Sequence, residues 1–331
     1  YKRTPSAMMD LKRLSDGRLG FTPSYGPFGI DPDQGYWLTN LQGTSTALHQ
    51  TAGGLLTDHH DYIELNAATG ERAQVSYPIE TAAGLLPCVS ASNKYSDGVI
   101  QEIVGNAEAW RWTMSDYFDP MTSPFAQNFE STPRFKNTGC DVFHINALDR
   151  EADGDYVVTV RHMDGVFRVD YPSGDVLWTL GTPPSTDAGA SQLTIVGDPF
   201  GGPKRPHDAR LNGNVLTMLD NQAGTGRPSR AVAYTIDVAA GTATMLWEIR
   251  NSQVGGATLG SVQRADDGSV LINWGAGLQP IIDERTPDGT RLMAVGLPNS
   301  GNSYRTVKYA PEAFDVGQLR ATAGGSLTPP P

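Results

Sequence analysis

The sequence predicts an all-β protein, a six-bladed β-propeller whose four-stranded antiparallel blades surround a central channel. Three observations support this prediction. The first is the composition, since 37 Gly and 23 Pro among 331 residues suit a chain with many tight turns. The second is a repeated pattern of two β-type runs separated by an acidic residue and a small-residue turn. The third is the spacing of these units, at about 45–70 residues, which is typical of propeller blades.

The clearest unit spans residues 140–180. Its β-type runs occupy residues 156–161, 166–171 and 176–180, and the turns before them contain Asp-Gly, Asp-Gly and Pro-Ser-Gly. Gly supplies positive φ and Pro presets φ, so these turns favour hairpins. The segment is therefore predicted to be an antiparallel meander of three strands.

Related units recur along the chain, and they lie at residues 21–37, 62–77, 99–112, 232–249 and 278–295. The recurring turn type and Trp position favour a propeller over a β-sandwich, which is the alternative for such a chain. We expect one domain over residues 1–321 and a flexible tail at 322–331. A strand at 303–309 is expected to close the ring by pairing beside an N-terminal strand, because an open ring leaves two unpaired edges.

The charge and the cysteines restrict the location and the partners. A net charge of -11 argues against binding to nucleic acid or to an anionic membrane, and no apolar run approaches the roughly 20 residues of a membrane span. The start at Tyr1 suggests that a leader has been removed, so the chain is expected to be secreted or periplasmic. There Cys88 and Cys140 would form a disulfide, whereas in the cytosol they would be two buried thiols.

Three histidines lie beside predicted strands with polar neighbours. His144 belongs to the motif DVFHIN at 141–146, His162 follows Arg161, and His207 precedes an acidic residue at the end of a Pro-rich loop. Imidazole serves as a nucleophile, base or acid near neutral pH, while Arg and amide groups hold oxyanions. The predicted catalytic residues are, in order of preference, His207, His144 and His162, and the predicted anion-binding residues are Asn146, Arg161, Asn221, Arg230 and Arg305.

The other three histidines lack such a context. His49 and the pair His59 and His60 are expected to be ordinary strand residues. The sequence DHHD at 58–61 resembles a metal site, but neighbouring residues of a regular strand point to opposite faces. We therefore predict neither a metal nor a cofactor. Trp178, Trp247 and Trp274 are expected to pack in blade cores.

An ordered set of motifs covers most of residues 20–310: DVFHIN at 141–146, RH at 161–162, HDAR at 207–210, LDN at 219–221, SR at 229–230 and SYR at 303–305. This set resembles the arylsulfotransferase-like family. The resemblance implies a six-bladed propeller that moves a sulfuryl group between phenols without an activated-nucleotide donor. It also implies that histidines, an asparagine and an arginine hold the sulfate, and that one histidine becomes sulfated in a ping-pong cycle.

The resemblance does not identify the nucleophile. In the family the nucleophilic histidine lies late in the chain, and here no histidine follows His207, so His144, His162 or His207 has to take that role. Two alternatives remain open. One is a polysaccharide lyase or glycoside hydrolase in which Arg neutralises a substrate carboxylate and His or Tyr transfers the proton. The other is a non-catalytic propeller that binds a small anionic molecule or an oligosaccharide.

Overall fold

Short strands joined by tight turns build six β-sheets in the computed structural model of the chain. The structure describes residues 7–24, 33–43, 46–86, 88, 92–128, 139–181, 184–286, 288–297, 301–315 and 317. Single 3-10 turns lie at Met114–Asp116, Pro120–Thr122, Arg161–Met163 and Pro311–Ala313. The predicted all-β class is confirmed.

Five of the six sheets contain an antiparallel run of four strands. In the first sheet these are β1 (Ala7–Arg13), β2 (Leu19–Ser24), β3 (Tyr36–Thr39) and β4 (Thr46–His49), and in the second β5 (Thr57–Asn66), β6 (Glu71–Ser76), β9 (Val99–Val104) and β10 (Ala107–Thr113). The third contains β13 (Ile145–Arg150), β14 (Tyr156–Val160), β15 (Gly165–Val169) and β16 (Val176–Leu180), extended by the parallel β17 (Ser191–Gln192). The fourth contains β19 (Pro206–Asn212), β20 (Val215–Asp220), β21 (Arg230–Asp237) and β22 (Thr242–Arg250), extended by the parallel β18 (Thr194–Val196). The fifth contains β23 (Ser261–Arg264), β24 (Val270–Asn273), β25 (Ile282–Arg285) and β26 (Arg291–Val295).

The sixth sheet differs from the predicted blade. It consists of strands of two or three residues, β7 (Ile79–Thr81), β8 (Lys94–Ser96), β11 (Gln127–Asn128) and β12 (Cys140–Asp141), and β8 pairs with β12 in parallel. The prediction of six four-stranded antiparallel blades is corrected here, because the units at 62–77 and 99–112 share one sheet through the pairing of β6 with β9. A closed ring of blades remains a prediction.

The first strands of the five larger sheets lie side by side in chain order, from β1 through β5, β13 and β19 to β23. We call these five the inner strands. Apolar side chains fill the spaces between neighbouring sheets, and Trp112, Trp178 and Trp274 are almost fully buried there. Trp178 and Trp274 therefore have the packing role expected of them. Among the described residues, no helix is both long and apolar enough to cross a membrane.

The segment 303–309 joins the end of the described chain to its beginning, but it forms no strand. It runs beside β23, where the Gly260 amide donates to the Tyr304 carbonyl over 2.9 Å. It reaches β1 where the Arg13 amide donates to the Tyr309 hydroxyl over 2.8 Å. The predicted contact is thus present, while the predicted strand pairing is wrong for this segment. The predicted tail at 322–331 lies outside the described residues, and the single-domain boundary remains a prediction.

The Cys88–Cys140 disulfide is present, as predicted, with a Cα–Cα distance of 5.8 Å across 52 residues. Cys140 is fully buried in β12 and directly precedes Asp141. The disulfide therefore holds the short sheet next to the loop that carries His144.

A buried histidine cluster as candidate active site

Five histidines meet at the start of the inner strands, and this histidine cluster consists of His59, His60, His144, His162 and His207. Four of the rings form a chain in which neighbouring centroids lie 4.4, 4.7 and 4.6 Å apart, in the order His59, His60, His144 and His162. His207 begins β19 opposite them, and the carbonyl of the preceding residue accepts a hydrogen bond from Asn146 over 2.8 Å. The structure therefore brings together the three predicted catalytic histidines and two that the sequence analysis had set aside.

Irregular backbone at the strand starts makes this convergence possible. The pairing of β5 with β6 is interrupted between Thr57 and Tyr62, and that of β19 with β20 between His207 and Arg210. His144 itself has a φ of 63°, in the left-handed region that non-glycine residues seldom adopt. Because strand alternation fails in these segments, the argument that His59 and His60 point to opposite faces was wrong.

His144 is paired with a buried carboxylate. Its Nδ1 lies 2.6 Å from Oδ2 of Asp141, whose Oδ1 accepts a hydrogen bond from Ser96 over 3.0 Å. Burial alone would raise the pKa of Asp141, but His144, His162 and Ser96 outweigh it and hold the pKa below its ordinary value. Asp141 thus stays ionised and orients the ring. The His144 side chain is 11% exposed, and no described residue hydrogen-bonds to its Nε2.

His162 is a supporting residue, because both of its ring nitrogens are occupied. Nδ1 donates to the backbone carbonyl of Asp141 over 2.7 Å, and Arg161 donates to Nε2 over 2.5 Å. The strand β14 ends before these two residues, so Arg161 and His162 share a 3-10 turn and face the same side. Burial lowers the pKa of His162 well below its usual value, although Asp141 opposes this. The ring is therefore neutral.

Two hydrogen bonds define the tautomer of His207. The Leu259 amide donates to Nε2 over 3.1 Å, so Nε2 carries the lone pair and Nδ1 carries the proton. Nδ1 donates to Oδ1 of Asn221 over 2.6 Å, and the Asn221 amide nitrogen donates to the carbonyls of Gly256 and Leu259. Burial, reinforced by the charge of Arg161, lowers the pKa of His207 well below its ordinary value. Asn221 thus orients His207, and its predicted role in anion binding stays a prediction.

Arg161 is the buried cation next to the histidines. It donates to the carbonyl of Ala257 over 3.0 Å, while its Nε is buried without a partner among the described residues. Burial lowers its pKa to about 10 and Asp141 opposes the shift, so the guanidinium is charged at neutral pH. The Phe125 ring covers this group, at 5.3 Å from the guanidinium and 5.3 Å from the His162 ring. Arg161 is therefore suited to hold an anion.

Two predicted anion-binding arginines have other partners. Arg230 is fully buried and contacts Asp198 at 2.7 Å, Asp220 at 2.8 Å and Glu248 at 2.9 Å. Three carboxylates already neutralise this guanidinium, so its contacts favour a structural role, and its predicted role in anion binding stays a prediction. Its contacts instead join β20, β21 and β22 to the loop that precedes β19.

Arg305 belongs to a second ionic network, which lies on the inner strands next to the histidine cluster. It contacts Asp10 at 2.5 Å, Asp61 at 3.1 Å and Asp208 at 2.8 Å. These acids come from β1, β5 and β19, so the arginine links three inner strands. The prediction that Arg305 binds a substrate anion stays a prediction, and in this structure protein carboxylates are its partners.

A cavity lined by described residues lies beside this network. It has a volume of about 660 Å³ and is lined by charged side chains including Lys12, Asp149, Arg210 and Arg305. Within the described chain, no histidine lines it. The cavity and the histidine cluster are therefore separate features of the described structure.

His60 and its partner Asp58 form a further part of the cluster that was not predicted from the sequence. The Nδ1 of His60 lies 2.6 Å from Oδ1 of Asp58, which makes a second carboxylate–histidine pair beside the first. A signal for it was present in the sequence. His60, His144 and His207 all stand at the start of an inner strand and are followed within two residues by a carboxylate or an amide.

These features define an all-β protein whose inner strands bring together buried imidazoles, carboxylate partners and a charged guanidinium. The chain belongs to the arylsulfotransferase (ASST) family, whose family model matches residues 1–291. The family resemblance that the motifs indicated is thereby confirmed. No curated protein sequence matches the chain.

Several solved structures are similar over most of the chain. One is a protein of unknown function from Bacteroides caccae, with 10% identity, a TM-score of 0.48 and coverage of 89% of this chain and 84% of that one. Another is the β-propeller domain of Myceliophteria thermophila Cps50, with 10% identity, a TM-score of 0.45 and coverage of 90% and 74%. A third is the periplasmic gluconolactonase of Pseudomonas aeruginosa, with 12% identity, a TM-score of 0.44 and coverage of 88% and 86%. These likenesses carry no functional information.

Proposed function

We propose that the protein transfers a sulfuryl group from an aryl sulfate to a phenol, with His207 as the nucleophile. The observation that carries this proposal is the pair of hydrogen bonds that fixes His207 as the Nδ1–H tautomer, with Asn221 on one side and Leu259 on the other. A neutral imidazole with its lone pair on Nε2 is the nucleophilic form. The family assignment supports the reaction class.

In the first half-reaction, the Nε2 lone pair of His207 attacks sulfur and the bond from sulfur to the aryl oxygen breaks. The aryl oxygen leaves with the bonding electrons and takes up a proton, while the sulfuryl group stays on Nε2. The substrate has to displace the Leu259 amide, which donates to Nε2 over 3.1 Å. In the second half-reaction, an acceptor phenol loses its proton, its oxygen attacks sulfur and the nitrogen–sulfur bond breaks.

His144 is the residue best placed to move these protons. A carboxylate on Nδ1 stabilises the imidazolium that forms when Nε2 accepts a proton. Asp141 supplies that carboxylate at 2.6 Å, and the His144 ring retains some exposure. His144 therefore gives its proton to the leaving aryl oxygen and later takes one from the acceptor phenol.

Arg161 provides the positive charge for the sulfuryl oxygens. Its buried Nε has no partner among the described residues, and a guanidinium held in a water-poor site stabilises developing negative charge without reorganisation. In the family's motif order, Asn146 comes directly before Arg161. Its Nδ2 donates one hydrogen bond to the Pro206 carbonyl. We assign Asn146 to the sulfate site through its remaining amide hydrogen.

Contacts of the tyrosines count against the lyase alternative with a tyrosine base. The Tyr77 hydroxyl donates to the Ile145 carbonyl, and the Tyr304 hydroxyl lies 2.8 Å from the carbonyl of His60. Burial raises the pKa of both hydroxyls well above the ordinary value. Neither hydroxyl is available for proton abstraction. The disulfide favours an oxidising compartment, so we place the activity outside the cytosol.

The test is transfer of sulfate from p-nitrophenyl sulfate to phenol. We expect His207→Asn and His144→Asn each to lower kcat by about 10²–10⁴-fold or more, while Arg161→Met raises KM and lowers kcat together. His49→Asn is the matched control, because His49 contacts Tyr62 outside the cluster. Full activity of the His207 variant, or unsaturated product from a uronide polymer with no sulfate transfer, would overturn the proposal.

A further inference from the structure

One carboxylate of the histidine cluster is buried without a compensating cation. Asp58 is 3% exposed, and its Oδ1 accepts from the backbone amide and Nδ1 of His60, at 2.8 and 2.6 Å. Its Oδ2 is buried and has no hydrogen-bond partner among the described residues. No lysine or arginine of the described chain forms an ion pair with it. A buried carboxylate normally has a cationic partner or a metal.

The groups around Asp58 are of the types that ligate metals in proteins. His59 and His60 are each 4% exposed, and one ligand atom from each of the three residues lies within 4.8 Å of the others. Burial lowers the pKa of His59 to about 3, and that of His60 well below its usual value, so both imidazoles are neutral. Neutral imidazole is the form that coordinates metals.

We infer that Asp58, His59 and His60 bind one divalent transition-metal cation of the Zn²⁺ type. Two imidazoles and one carboxylate form a donor set that suits this cation, and a fourth position remains for water or a substrate oxygen. The cation would replace the proton shared by His60 and Asp58 and would neutralise the unpaired Oδ2. The inference goes beyond the proposed function, since the chemistry of His207 does not require it.

A second group with similar ligand spacing, formed by Asp141, His144 and His162, fits a metal less well. Both nitrogens of His162 already have protein partners, and Ser96 and His144 occupy the two oxygens of Asp141. Around Asp58, by contrast, one carboxylate oxygen is unused. Ligand atoms at about 2.1 Å from a tetrahedral metal lie about 3.4 Å apart, so the three side chains have to contract by only about 1 Å or a little more.

The experiment uses chelator-treated full-length protein and Zn²⁺, followed by equilibrium dialysis and calorimetry. We expect one equivalent of Zn²⁺ per chain in the wild type. Asp58→Asn and His59→Gln should each weaken binding by at least about 100-fold. His49→Gln should bind like the wild type, because His49 lies outside the cluster. X-ray absorption of the loaded wild type should show two imidazoles and oxygen ligands.

Two results would overturn the inference. One is wild-type protein that binds no stoichiometric Zn²⁺ after chelation, a result that needs no variant to fold. The other is binding that survives Asp58→Asn and is lost in His162→Asn, which would assign the metal to the group around Asp141. Because sulfate transfer is assayed on the same metal-free and loaded samples, a failed metal site can be told from a failed enzyme assignment.

Discussion

Replacing Arg305 with methionine tests the ionic network that joins the inner strands. Its guanidinium contacts Asp10 at 2.5 Å, Asp61 at 3.1 Å and Asp208 at 2.8 Å, and its side chain is 7% exposed. Methionine keeps much of the volume and removes the charge. In the variant the three buried carboxylates lose one of their cationic partners, although Lys12 still contacts Asp10 and Asp61.

Removing one partner of a buried ion pair costs about 3–5 kcal/mol. Because Lys12 and Arg210 remain, we expect Arg305→Met to lower the free energy of unfolding by about 3 kcal/mol at neutral pH. The pKa of Asp61 lies below its ordinary value because Arg305 and Lys12 outweigh burial, which raises it. A depressed carboxyl pKa contributes stability at neutral pH that is lost in acid. The difference between wild type and variant should therefore shrink as the pH falls.

The assay is denaturant unfolding of the wild type, Arg305→Met, Asp61→Asn and the double variant. Asp61→Asn should cost less in the Arg305→Met background than in the wild type, with a coupling of about 1–3 kcal/mol. Arg291→Met is the control, because that arginine lies on the surface beside Asp283 and its loss should leave stability nearly unchanged. A loss below about 1 kcal/mol, or additive effects in the double variant, would refute the account of the network.

Three further predictions concern stability and catalysis. Burial raises the pKa of Asp97 to about 6, so Asp97→Asn should stabilise the fold by about 1–3 kcal/mol at neutral pH and by little near pH 4. Denaturation at several pH values measures this, and Asp116→Asn, at an exposed position, is the control that should show no such trend. Cys88→Ala should lose about 4 kcal/mol by the chain-entropy model, and the loss should match that of reduced wild type in denaturant melts. Asp141→Asn should lower kcat for sulfate transfer by about 10²–10⁴-fold, because His144 loses the carboxylate that stabilises its imidazolium, and unchanged kcat would contradict this.

Regular hairpins could be predicted closely from the sequence. The runs predicted at 166–171 and 176–180 correspond to strands Gly165–Val169 and Val176–Leu180. Their alternating side chains and glycine turns are local properties, and the hydrophobic pattern and the turn geometry together favour their register. The assignment of hairpins to sheets is not local. For this reason the hairpins at 62–77 and 99–112 were expected in separate blades, although they pair with each other.

The candidate site was predictable only in part, because it depends on irregular backbone. His144, His162 and His207 could be identified from their polar neighbours, and the structure places all three in one cluster. His60 was missed because a regular strand was assumed where the pairing with β6 is interrupted. The carboxylate partners of Arg230 could not be predicted, because the sequence gives no sign of which carboxylates a buried arginine meets.

The central claim is that a sulfuryl group is carried on Nε2 of His207, and trapping that intermediate tests it most directly. The protein is mixed with excess p-nitrophenyl sulfate in the absence of an acceptor, quenched in alkali, digested and mapped by mass spectrometry. The account predicts a sulfated histidine in the peptide that contains His207, formed in amounts matching the burst of nitrophenol and lost on addition of phenol. A sulfated His144, or turnover without any sulfated histidine, would contradict it.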